Sequence, residues 1–163
     1  MGFRKTARRS QRTTAQGLVQ TVVLESGPRS PYSPYRFDIE LRVTHPELPP
    51  NRCLINLGCC KHIEGQQRWV VGADDGPEVW GRILSVLREK APDLLARMAS
   101  VEALTAMFEE VNSVWYYESQ AWCLERLGFH NQAVSMIQRA IEQAPHEGFR
   151  EAAERKLAQY QVP

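Results

Sequence analysis

The hydrophobic pattern changes period once along the chain, near residue 73, and no other feature limits the fold as much. Before that point apolar residues alternate with polar ones; after it they recur at helical spacing. The clearest strand runs from Arg36 to Val43. Phe37, Ile39, Leu41 and Val43 point one way, and Arg36, Asp38, Glu40 and Arg42 the other. A strict period of two marks a half-buried antiparallel strand. Leu18 to Glu25 is rich in Val and Thr and is apolar on both faces at Val22, Val23 and Leu24, which suggests a central strand. Further strands are predicted at about 52–60 and 67–71, separated by the Glu64-Gly65 turn, and at about 8–13, paired through Ala15-Gln16-Gly17. Gly27-Pro28, the Ser-Pro pairs of 30–34, and Pro46, Pro49 and Pro50 break the run between strands.

From Asp75 the chain reads helical. Asp75-Gly76-Pro77-Glu78 has the form of a capped helix start, followed by the stripe Val79, Trp80, Ile83, Leu84 and Leu87. This helix is expected over about 77–91, with Pro92 ending it. Ser100 is read as the cap of a helix at about 101–110. Three more follow at about 113–127, 131–144 and 147–160, punctuated by Gly128 and Pro145. The expectation is an α+β fold: an antiparallel β-meander of four or five strands, then a C-terminal helical segment packed on one sheet face. Residues 1–110 would form the α+β domain and 111–163 a helical extension.

A chain of 163 residues makes one domain, or one with an appendage, and can build a core without staples. Its 43% hydrophobic and 24% charged residues are ordinary for a globular chain. No stretch approaches the ~18 apolar residues of a membrane helix, so no membrane partner is expected. The basic N-terminus has no apolar run behind it, so it does not read as a secretory signal. Cys53, Cys59 and Cys60 crowd together, with Cys123 far off, which is poor spacing for a disulfide framework. They read as reduced thiols of a cytoplasmic protein. Charge is uneven: residues 1–36 carry seven Lys/Arg against Glu25 alone, while residues 101–163 carry five against nine acids. Such asymmetry points to a polyanion partner or to internal complementarity.

Several short pieces resemble the bacterial domain-of-unknown-function family 4304. They are Gly2-Phe3-Arg4-Lys5 with the basic stretch to Arg12, Gly17-Leu18-Val19-Gln20, and the strand Arg36 to Val43. Cys53 with Leu57-Gly58, Trp69, and the helix from Pro77 complete the set. The resemblance spans roughly residues 2–108. It implies an α+β fold, no established activity and no catalytic residues. The C-terminal part is similar to one tetratricopeptide-repeat hairpin: Gly128, Ala133, Ala140 and Pro145 sit at that repeat's offsets, and Ala121 and Leu124 fit its first helix. One such unit cannot bury its own apolar face and needs neighbouring helices or another chain.

Among chemistry-bearing residues, Cys53, Cys59, Cys60 and His62 invite a zinc reading. On a strand, however, Cys59 and Cys60 face opposite sides, and Cys53 lies roughly 20 Å from Cys59 at ~3.3 Å per residue. Converging tetrahedral ligands are not obtained that way, so no metal and no cofactor is expected. His45, His130 and His146 stand in no nucleophile, zinc or phosphate motif. Asp74 and Asp75 read as helix-capping acids. Arg4, Lys5, Arg8, Arg9 and Arg12 are candidate polyanion contacts, yet no helix-turn-helix or stacking platform accompanies them. Tyr32, Tyr35, Trp115, Tyr116, Tyr117 and Trp122 are the aromatics of interest, since Tyr and Trp are enriched at interface hot spots. Trp115, Tyr116 and Tyr117 are consecutive and cannot all face one core.

The leading expectation is a non-enzymatic bacterial protein acting through an unknown protein partner, in one version an immunity or antitoxin-like inhibitor. Its candidate interaction surface is Tyr116, Tyr117, Glu118, Trp122 and Glu125. One alternative is a hydrolase or metal-dependent enzyme around His62, Cys60 and Asp74. The other is a nucleic-acid binder using the basic N-terminal arm; nucleic acid is not the favoured partner.

Overall fold

The computed structural model describes residues 4–6, 9–26, 35–49, 52–66, 68–72 and 75–160. The protein is α+β, and the chain divides into two compact units, residues 1–99 and 100–163. The boundary therefore falls earlier than the 110/111 division read from the sequence. The helix from residue 101 goes with the helical unit, because its Val101, Leu104 and Phe108 side is buried and its neighbour is the helix that starts at Tyr117.

Among its described residues the first unit holds a six-stranded antiparallel sheet: β1 (Arg4–Thr6), β2 (Arg9–Thr13), β3 (Val19–Ser26), β4 (Tyr35–Thr44), β5 (Ile55–Gly58) and β6 (Trp69–Val71). The first five are neighbours in chain order, as a meander requires, and β6 pairs with β4. Gly17, at φ +78°, closes the β2–β3 turn, a backbone conformation that costs glycine no steric penalty. On β4, Leu41 lies opposite Val22 of β3 and Leu57 of β5, so three apolar residues share one face. Phe37 is opposite Trp69. β5 and β6 thus both lie on the side of β4 away from β3, aligned end to end.

Between them the chain leaves the sheet as the short helix α1 (Cys59–Glu64). The strand expected over 52–60 is therefore four residues long, and Cys59 and Cys60 are helical. The cause is Asp38. Its carboxylate Oδ1 accepts the backbone N–H of Cys60 at 3.0 Å and of Ile39 at 2.7 Å. A Cβ at Gly58 would collide with the other oxygen of that carboxylate, so a larger residue there would displace Asp38. Asp38, expected on the wetter face, is 8% exposed.

The helix α2 (Pro77–Ala96) covers one face of this sheet. The Phe37 ring sits between Trp69 and Trp80, with centroids 5.6 and 5.2 Å away. Ile83 of α2 is buried with Leu41, Val43, Ile55 and Leu57. Toward the Leu24–Ile39 pair the cover thins: Ile39 is half-buried and Leu24 exposed. Asp75 does not cap α2; it accepts the Gly72 N–H at 2.6 Å, and Gly76 holds the cap position. Nor does Pro92 end the helix, which continues to Ala96. Pro92 is exposed, so the carbonyl it leaves unpaired can face water. The last turn is held from the sheet, where buried Gln20 donates its Nε2 to the Leu95 carbonyl at 2.7 Å.

The second unit contains α3 (Val101–Val111), a single 3-10 turn (Val114–Tyr116), α4 (Tyr117–Arg126), α5 (His130–Glu142) and α6 (Glu147–Tyr160). Ser100 caps α3, its Oγ accepting the Ala103 N–H at 3.1 Å. Gly128, at φ +81°, lets the chain reverse between α4 and α5. The core is Tyr117, Ala121 and Leu124 of α4 against Ala133, Ile137 and Ala140 of α5, with Ala153 of α6. The two α5 alanines are fully buried, as their seven-residue spacing requires for a shared face. The outer side of α6 is polar, with Arg150, Glu151, Glu154 and Arg155 exposed. Among the described residues no helix is long and apolar enough to cross a membrane.

Candidate functional site

The sheet face opposite α2 carries the alternate residues: Arg9 on β2, Thr21 and Val23 on β3, Arg42 and Thr44 on β4. Beyond β4, residues 45–49 and 52–53 border this face, with Leu48 N–H donating to His45 O and Arg52 N–H to Pro49 O, each at 3.0 Å. Leu54 then rejoins the sheet through the Val43 carbonyl. Strands and segment enclose a groove of about 640 Å³. It is lined by Thr21, Val23, Arg42 and Thr44 of the strands, by the apolar Pro46, Leu48 and Pro49, and by Arg9, His45, Arg52 and Cys53. Arg42 is oriented by two carboxylates. Its Nε and Nη2 donate to Glu40 at 3.0 and 2.6 Å, and Nη2 also donates to Glu25 at 2.8 Å. The Glu40 hydrogen bond foremost, with Coulombic support from Glu40, Glu25 and Cys53, holds its guanidinium above the usual arginine range.

The basic N-terminal stretch does not act as one patch. On β2 the side chains alternate, so Arg9 and Arg12 lie on opposite faces. Arg12 is committed to structure: its Nε donates at 2.6 Å to the Oε1 of Gln20, the residue that holds the end of α2. Arg4 and Lys5 take register positions opposite Gln11 and Ser10. Arg8 lies outside the described residues, as do Tyr32 and Asp74, and the His62 side chain is likewise not described.

The cysteines fall into two kinds. Cys59, Cys60 and Cys123 are fully buried, whereas Cys53 is half-buried at the groove. Burial, with Asp38 adding to it, pushes the Cys59 thiol up to about 12 and the Cys60 thiol up to about 11. Burial pushes Cys123 up to about 12 as well, against a Thr105 hydrogen bond that lowers it. At neutral pH these three are protonated and are poor nucleophiles. Among the described residues no three His, Cys, Asp or Glu side chains are placed to hold a metal ion. Cys53 and Cys59 do not share a strand, since one lies in a loop and the other opens α1.

In the helical unit the expected interaction residues separate. Tyr117 is 2% exposed and belongs to the core. Its hydroxyl donates toward Asn112 Oδ1 and Gln143 Oε1 at 3.3 and 3.1 Å, and Arg139 lies over its ring. Tyr116 is half-buried against Phe108. The exposed member of the aromatic triplet is Trp115, at 60%, edge-on to Phe149. On α4, Ser119, Gln120, Ala121, Cys123 and Leu124 are all buried. Glu118, Trp122, Glu125 and Arg126 remain as one narrow stripe, at the i, i+4, i+7 and i+8 positions that share a helix face. Within it Arg126 stacks over Trp122 at 5.1 Å, and Glu125 meets His130 at 3.1 Å.

Sequence reasoning missed the groove residues Arg42, His45, Arg52 and Cys53. The signal for them in the sequence is Arg42 on the polar side of the Arg36–Val43 strand, followed by the proline-rich segment from Pro46. No protein-family model, no curated protein and no solved structure matches this chain.

Proposed function

We propose that this protein is a non-enzymatic binding protein that presents the α4 stripe of Glu118, Trp122 and Glu125 to a protein partner. The observation that carries this reading is the stripe itself. It combines an aromatic residue and two carboxylates on a helix whose remaining sides are committed to the core. A partly exposed Trp flanked by charge is the composition of an interface hot spot. The surrounding residues 101–163 carry five Lys/Arg against nine acids, so the complementary partner surface is basic. Buried, protonated Cys60 weighs against the alternative of an enzyme around His62, Cys60 and Asp74. In its most concrete form the protein is a cytoplasmic bacterial inhibitor of the immunity or antitoxin kind.

The same proposal includes kinship of roughly residues 2–108 with domain-of-unknown-function family 4304, and of α4–α5 with a tetratricopeptide hairpin. What supports the second is Gly128 at positive φ and the buried Ala133 and Ala140. Affinity capture from native cells, run in parallel with the full chain and with a Glu118→Lys, Trp122→Ala variant, tests the functional reading. A partner retained by the first and lost by the second, at equal melting temperature, is the expected result. Identical recoveries would overturn it.

A further inference from the structure

We propose that the outer face of α4 is self-complementary and that, with no other protein bound, a second copy of this chain covers it, laid antiparallel about Trp122. The inference rests on the reading of that face as an interface and names its resting occupant.

The face has the same kinds of residue in both directions from its middle. Glu118 lies four residues before Trp122 and Arg126 four after, each about 6 Å away along the helix axis. Trp115 comes seven residues before Trp122, and Phe129, in the turn between α4 and α5, seven residues after it. Trp115 is 60% and Phe129 49% exposed, and Trp122 is half-buried. In a two-fold pair, each surface feature meets its own counterpart on the other copy. With the axis at Trp122 and the helices antiparallel, Glu118 of each copy comes beside Arg126 of the other. Trp115 of each then reaches the turn that carries Phe129. Parallel helices would instead set Glu118 against Glu118 and Arg126 against Arg126.

The charges select the orientation and the aromatics supply the attraction. Glu118 and Arg126 also have contacts inside their own chain, Arg126 with the Trp122 ring, so each adds an orienting charge rather than a strong new ion pair. Trp115 is already fixed edge-on against Phe149, with 5.4 Å between centroids, so covering it costs little further ordering. Residues 101–163 carry five Lys/Arg against nine acids, so two such units also repel. The pair is therefore weak, and a basic partner displaces it.

Sedimentation equilibrium of the full chain, from micromolar to millimolar concentration, tests this. A reversible monomer–dimer equilibrium is expected. Trp122→Ala should weaken it about tenfold or more, and Trp115→Ala should weaken it too. Arg155→Glu, on the exposed side of α6, should leave it unchanged. Glu118→Arg and Arg126→Glu should each impair self-association, because like charges then meet twice in the pair. An equimolar mixture of those two variants should recover it, since one chain then brings two cations to the face and the other two carboxylates. Equal melting temperatures establish that the variants are folded, and recovery in the mixture excludes misfolding independently. The proposal falls if the chain stays monomeric throughout, if neither tryptophan variant weakens the dimer, or if the mixture associates no better than its components. A monomeric chain that still captures a partner through Trp122 would remove this inference and leave the proposed function standing. A dimer formed through Trp122, with capture indifferent to that residue, would do the reverse.

Discussion

The two units solve the same problem, a polar backbone around an apolar core, with contacts of different reach. In the helical unit most polar ties are local, as where Ser100 bonds Ala103 and Thr105 bonds the Val101 carbonyl one turn back, and the long-range ones gather at the Tyr117 hydroxyl, which meets Gln143 and Arg139. In the sheet unit they join distant parts of the chain: Gln20 holds Leu95, Asp38 holds Cys60, and Glu64 accepts from Arg82. Long-range ties carry a larger loop-closure cost before they form. They also concentrate consequence, since one buried polar side chain then fixes where an element starts or stops. The helical unit spreads that burden over many small apolar contacts.

Four experiments bear on this contrast, in descending order of effect. Leu41→Asp should be the most damaging. It places an unpaired charge at the centre of the covered sheet face, between Val22 and Leu57, at a cost of about 4 kcal/mol or more. The half-buried Ile39 next along that face should tolerate the same change better, and urea midpoints of the two variants measure the gap. Asp38→Ala should cost about 2–3 kcal/mol, because it orphans the buried Cys60 N–H. Amide exchange at Cys60 and through α1 should rise in that variant; unchanged protection there would mean that Asp38 does not set the strand end.

In the helical unit, Ala140→Leu should overpack the α4–α5 contact by about 1–3 kcal/mol, whereas Ala158→Leu on the exposed side of α6 should be nearly silent. Equal denaturant midpoints for the two would remove the close-packed hairpin. The smallest effect is alkaline. The Cys59 and Cys123 thiols, one in each unit, have folded values raised from 9.0 to about 12. Above pH 9 the unfolded chain loses these protons while the folded chain keeps them. Stability is therefore intact below pH 9 and declines toward pH 12, by up to about 1.4 kcal/mol per thiol for the first unit of pH. Melting curves at pH 8.5 and 10 should show the decline, and Cys123→Ala should lessen it.

Much of this architecture is legible in residue patterns because period and punctuation agree. Phe37, Leu41 and Val43 announce β4, Gly17 its neighbours' turn, and Gly128 with Ala133 and Ala140 the helical hairpin. The misreadings occur where one long-range contact overrules local preference. Nothing near Gly58 in the sequence reveals that Asp38, twenty residues earlier, ends the strand. Nothing near Pro92 reveals that Gln20 holds the helix beyond it. Of the interaction residues, Trp122, Glu118 and Glu125 share the outer face of α4, but Tyr117 lies on its core face, a distinction that depends on where α5 packs. The groove was not legible because Arg9, Arg42 and Arg52 come from three segments that only the sheet brings together.

The broken alignment of β5 and β6 along β4 has a bearing on solubility. A long, flat outer strand offers a row of unpaired amides on which another chain can add itself, the first step toward aggregation or strand exchange. Here that border is divided into four residues of β5 and three of β6, with α1 projecting between them. The opposite border is β1, with three described residues. Among the described residues an incoming strand meets no run long enough to pair cooperatively, so the excursion at Asp38 and Gly58 also shields that border from copies of the chain.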